Sequence, residues 1–68
     1  MKFHDIEKGE FPDCHKNVVA YNRSGYVYGV VSMYGYAWIC DRGTIACKHY
    51  PLWVYTSELF DSLMENYQ

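Results

Sequence analysis

Between Asn17 and Tyr55 the chain changes from apolar to polar and back in short runs. Glycines punctuate those runs at Ser24-Gly25, Tyr34-Gly35 and Arg42-Gly43. The runs are rich in tyrosine, valine and isoleucine, which suit a pleated, half-buried surface, and each glycine can take the positive φ that a tight reversal needs. The pattern predicts an antiparallel meander with strands over residues 17–23, 26–33, 36–41 and 44–50. A short extended piece, residues 53–55, comes after the interruption at Pro51. A two-residue turn at Ser24-Gly25 sets Tyr21 opposite Tyr28 and Val19 opposite Val30, so aromatic meets aromatic and branched meets branched. A turn at Arg42-Gly43 sets Trp38 opposite Cys47 and Cys40 opposite Ile45, with both thiols and the indole on one face. Gly29, in mid-strand, marks a bulge or a close approach by a neighbouring ring.

The period changes after Thr56. Leu59, Phe60, Leu63, Met64 and Tyr67 fall on one stripe of a helix, with Glu58, Asp61 and Glu65 on the other side. Thr56 or Ser57 is suited to the N-cap, and Glu58 to the positive end of the helix dipole. A helix of roughly three turns is too short to be stable by itself, so its stripe is expected to pack on the sheet. Residues 1–16 are less regular. Met1 to Ile6 is expected to be a short strand or extended arm, and Lys8 to Asp13 a loop, since Gly9 and Pro12 both oppose a regular element.

The expected fold is therefore α+β, a small antiparallel β-meander of three to five strands with one C-terminal α-helix packed on one face. Residues 1–68 read as one domain: an irregular arm (1–16), the meander (17–55) and the helix (56–67). The expected core is Val19, Tyr21, Val30, Ile39, Ile45, Trp53, Leu59, Phe60 and Leu63, with Trp38 at its edge.

Composition narrows the function. At 68 residues the core supplies roughly 3–5 kcal/mol, so such chains gain from a disulfide, a metal or a second subunit. Half the residues are apolar, too many for a disordered chain. The net charge is −2, and the six basic residues are scattered rather than gathered into the stripe a nucleic-acid binder uses. Three cysteines with no paired framework and no hydrophobic leader after Met1 suggest reduced thiols and a cytoplasmic setting. The apolar runs are far too short to span a membrane.

Candidate chemistry is sparse. Cys14, His15, Cys40, Cys47 and His49 are zinc-type ligands, and Cys47-x-His49 places two of them on one strand face. A Cys-x-x-Cys knuckle is missing, however, so a zinc-dependent fold ranks below small buried thiols. Cys40 or Cys47 activated by His49 would need a third, orienting group and a pocket, and neither is legible. The chain is accordingly not expected to be an enzyme or to carry a cofactor. Arg23-Ser24-Gly25-Tyr26-Val27-Tyr28 places rings on a strand, as single-stranded nucleic-acid binders do, but without the surrounding basic charge.

Eight tyrosines are the stronger signal. Tyrosine and tryptophan dominate protein interfaces because they are large, amphipathic and lose little entropy when immobilised. Tyr26, Tyr28, Tyr34, Tyr36 and Tyr50 cannot all be buried in so small a domain and are the expected protein-binding residues.

Pro12, Val18-Val19-x-Tyr21, Trp38 and His49-Tyr50-Pro51-x-Trp53 together resemble a small phage and prophage family, domain of unknown function 551. The resemblance covers most of the chain. It implies a compact β-rich fold and a phage or mobile-element setting, and it supplies no catalytic residue. The functional expectation is a non-catalytic protein-binding module that acts on a host protein and self-associates into a homo-oligomer. Single-stranded nucleic-acid binding on the aromatic face is the alternative.

Overall fold

The computed structural model describes residues 3–32 and 36–65. Six strands form one antiparallel sheet: β1 (His4–Asp5), β2 (Val18–Asn22), β3 (Gly25–Val31), β4 (Ala37–Cys40), β5 (Gly43–Ala46) and β6 (Leu52–Tyr55). Their order in space is β1-β6-β2-β3-β4-β5. Short 3-10 turns come after β1 (Ile6–Lys8) and β5 (Cys47–His49), and one helix, α1 (Thr56–Glu65), ends the described chain. The fold is thus the α+β meander with a C-terminal helix that the sequence pattern predicts. One strand exceeds the expected range, because the N-terminal arm is not wholly irregular. His4 and Asp5 add an edge to β6, opposite Trp53 and Leu52. The expected turn at Tyr34-Gly35 and the helix residue Tyr67 lie outside the described residues.

Both hairpins turn earlier than the glycine positions suggest. Tyr21 pairs with Tyr26 and Val19 with Tyr28, so Arg23 and Ser24 occupy the turn and Gly25 opens the next strand. Trp38 likewise pairs with Ile45 and Cys40 with Gly43, leaving Asp41 and Arg42 in the turn. In each case two residues of ordinary φ make the reversal and the next glycine takes positive φ, +150° at Gly25 and +99° at Gly43. A glycine just after such a turn restores the twist that the turn alone would spoil. Asn22 locks the first hairpin: its side-chain oxygen accepts from the N–H groups of Ser24 and Gly25 at 2.7 and 3.0 Å. Each register therefore slips by two residues from the expected one. A slip of two keeps every side chain on its face, whereas a slip of one would not. The fourth strand of the predicted meander also ends earlier than expected, at Ala46, where the 3-10 turn begins.

That turn forces the sheet to roll. In a flat sheet β5 and β6 would stand four strand spacings apart, roughly 19 Å. Residues 47–51 must bridge them, and three residues of 3-10 turn plus two extended ones reach only about 13 Å. The sheet curls until the gap closes, and the two 3-10 turns meet although β1 and β5 are its opposite edges. Gly29 sits on the concave face, opposite Cys40. A Cβ there would lie 2.1 Å from the Ile39 carbonyl oxygen, so the close neighbour is backbone rather than a ring.

The concave face holds the main core: Val18, Ala20, Val27, Val31, Trp38, Cys47 and Trp53, with Ile6, Cys40, Ile45, Tyr50 and Tyr55 packed against it. Both indoles are also fasteners. Trp38 Nε1–H donates to the Tyr50 carbonyl at 3.1 Å and Trp53 Nε1–H to the Glu10 carbonyl at 2.8 Å. They pin the segment after β5 and the N-terminal arm over this face, and Pro12 of that arm is buried. The expected core is corrected on this point. Ile45 and Trp53 do face the core and Trp38 is at its centre, but Tyr21 and Val30 are half-buried and Ile39, Phe60 and Leu63 are exposed. Those residues belong to the other face.

Candidate protein-binding surface

Register assigns the convex face directly. Val19, Tyr21, Tyr26, Tyr28, Val30, Ile39, Leu52 and Val54 alternate with the core residues and point away from them. Val19 and Val54, paired across β2 and β6, are buried yet stand outside the main core cluster. They form the floor of a second, smaller apolar layer on which α1 leans.

The helix is held at its start. Thr56 N–H donates to the Asn17 carbonyl at 3.1 Å, and the Thr56 hydroxyl bonds the same oxygen at 3.4 Å. Glu58 reaches back to accept from the Tyr55 N–H at 3.0 Å, which is the glutamate half of a capping box. The same Glu58 oxygen meets His4 Nε2 at 2.9 Å, and the His4 ring stacks on Trp53 with centroids 4.3 Å apart. Partial burial pushes the Glu58 carboxyl upward, but the Tyr55 N–H, the His4 hydrogen bond and the His4 charge together hold it below the ordinary carboxylate range. One side chain thus ties the helix start, the last strand and the N-terminal arm together.

Beyond that start the helix stands off the sheet. Leu59 is half-buried, while Phe60, Leu63 and Met64 are 67%, 59% and 65% exposed. Between helix and sheet runs a groove of about 490 Å³ lined by Asn17, Val19, Tyr28, Thr56, Leu59, Phe60 and Leu63. None of these residues is charged. Tyr26 and Ile39 extend the apolar surface across the sheet, 62% and 50% exposed, and Leu52 with Phe3 extends it along the other flank. Phe3 packs edge-on against Tyr21 with centroids 5.2 Å apart.

The five expected binding tyrosines do not share one surface. Tyr26 and Tyr28 stand together on the convex face. Tyr36 is highly exposed but borders a different, smaller cavity beside Ile6, Phe11 and Cys47. Tyr50 is half-buried against the core, and Tyr34 lies outside the described residues. Periodicity alone assigns the helix residues that complete the groove to the core.

The thiols and imidazoles are dispersed. Cys14 and His15 border a cavity with Val30, Val31 and Ile39, whereas Cys47 is buried in the core. The Cys40 thiol donates to the Gly43 carbonyl at 3.1 Å inside the β4–β5 turn. Among the described residues no three Cys, His, Asp or Glu side chains are placed to hold a metal ion. Burial pushes the Cys47 thiol up to about 11, which favours its protonated form at neutral pH. No helix among the described residues is long and apolar enough to cross a membrane.

No protein-family model, curated protein or solved structure matches this chain.

Proposed function

We propose that this chain is a non-catalytic protein-binding module whose working surface is the convex face of the sheet together with the groove under α1. The observation that carries the reading is the uncharged groove lined by Tyr28, Leu59, Phe60 and Leu63, with Tyr26 and Ile39 also exposed on the same face of the sheet. Folded monomers rarely leave large apolar side chains grouped in this way unless something covers them. A groove flanked by rings and a helix ridge also suits the buried aromatic anchors that dominate protein interfaces. With the phage or mobile-element setting that the family resemblance implies, the partner is a host protein in the cytoplasm.

Affinity capture from host lysate tests this, with and without nuclease, using the wild-type chain and Tyr28→Glu side by side. The expected result is one stoichiometric protein that survives nuclease and is lost with Tyr28→Glu. Capture that disappears with nuclease would instead favour single-stranded nucleic acid, a reading supported by the neighbouring exposed rings of Tyr26 and Tyr28. That alternative lacks cationic support in the groove, where no Lys or Arg lines the wall.

A further inference from the structure

We infer that the groove under α1 is filled by a second copy of this chain, in a two-fold dimer where Phe60 and Leu63 of each protomer enter the groove of the other. The inference rests on the protein-binding reading of this face and names what fills the groove when no host protein is bound.

Three observations carry it. First, the surface is its own complement. Phe60 and Leu63 form the helix wall of the groove, opposite Val19 and Tyr28, and are still 67% and 59% exposed, so each projects beside the groove it lines. A two-fold interface needs the same patch on both subunits, with each knob beside its hole, and this arrangement meets that condition.

Second, the area is of the right size. Taken from their fractional exposures, Tyr26, Tyr28, Ile39, Phe60, Leu63 and Met64 offer on the order of 600–700 Å² of accessible surface per protomer. A standard interface takes about 800 Å² from each partner, and the backbone and small residues between these side chains supply the difference.

Third, the charges permit it. Glu58, Asp61 and Glu65 lie on the side of α1 opposite Thr56, Leu59 and Leu63, with Asp61 flanking Met64, so two helices can approach through the Leu59–Leu63 side without opposing their carboxylates. The groove wall offers no charge that would select a cationic or anionic partner instead. Depletion of charge and enrichment in apolar area are features of homodimer interfaces. A helix of ten residues needs more packing than Val19 and Val54 give it, and the second copy supplies that packing.

Sedimentation equilibrium over a concentration series tests the dimer directly. The wild-type chain is expected at twice the chain mass. Phe60→Asp and Leu63→Asp are each expected to raise the dissociation constant at least ~30-fold, the size of an interface hot spot. Both side chains are exposed in the protomer, so the variants should fold, and an unchanged near-ultraviolet tryptophan spectrum verifies this. Tyr36→Asp, on a separate surface, is expected to leave the dimer intact. A wild-type chain that stays monomeric up to about 100 μM overturns the inference, as does a dimer that survives both groove substitutions. The two readings separate cleanly. A monomer whose capture of another protein is lost with Phe60→Asp removes the dimer and keeps the binding surface. A groove-dependent dimer that captures nothing does the reverse.

Discussion

The two faces of this sheet carry similar residues and have opposite fates. On the concave face the large side chains are closed in by their own chain: the N-terminal arm and the segment after β5 fold across them, each held by an indole N–H. On the convex face a ten-residue helix shelters Val19 and Val54, Phe3 packs on Tyr21, and Cys14 and His15 stand beside Val30 and Ile39, while Tyr26, Tyr28 and Ile39 stay largely in solvent. Hydrophobicity therefore does not distinguish core from surface in a domain this small. What distinguishes them is which face the connecting segments can reach. Rolling brings the ends of the concave face together and shortens the distance a covering segment must span, whereas the convex face only widens.

Substitutions on the two faces should separate accordingly. The largest effect is expected from Trp38→Ala, which removes a fully buried ring and a fastening hydrogen bond. A loss of about 3–5 kcal/mol is comparable to the whole stability of such a domain, so the variant should be unfolded by circular dichroism at 25 °C. A cooperative unfolding transition close to that of the wild type would show that the concave face is not the principal core.

Gly29→Ala should come next. Its Cβ would press on the Ile39–Cys40 backbone, which cannot rotate away as a side chain could, and a cost of about 1–3 kcal/mol or more is expected in urea titration. Gly43→Ala meets no atom within 4 Å and suffers only its positive φ, so it should cost less. Equal costs would mean that the roll does not depend on the missing side chain at Gly29.

Glu58→Ala removes the tie between α1, β6 and β1 and is expected to cost about 1 kcal/mol. The pH dependence gives a finer test. A carboxyl held below its ordinary value in the folded state stabilises the fold fully above the unfolded pKa of about 4.3, and this contribution is lost as pH falls through the folded value. The wild-type chain should lose stability below about pH 5 more steeply than Glu58→Gln, which does not titrate there. Parallel acid-unfolding curves would exclude the tie.

The smallest effect belongs to the convex face. Phe60→Ser, measured at concentrations where the chain is monomeric, should change stability by no more than about 0.5 kcal/mol, because the ring touches little of its own protomer. A large loss would mean that the helix is part of the core after all, as the periodicity of its apolar stripe suggests.

Local pattern alone was enough to identify most of the strands, the start of the helix and the residues that share a face, because alternation has a period of two and a helical stripe a period near 3.6. It placed Trp38, Cys40 and Cys47 on one side even though the hairpin register differed by two residues. It could not rank the two faces. Val18 and Val19, or Trp38 and Ile39, are equally apolar neighbours, and nothing local sets one side of a strand above the other. The five-residue link between β5 and β6 is too short for a flat sheet, so the strands must curl, a constraint that acts only once they are assembled. They curl toward the side holding Val18 and Trp38, where Gly29 has no Cβ to hold the backbones apart, and Ile39, Tyr28 and the ridge of α1 face outward.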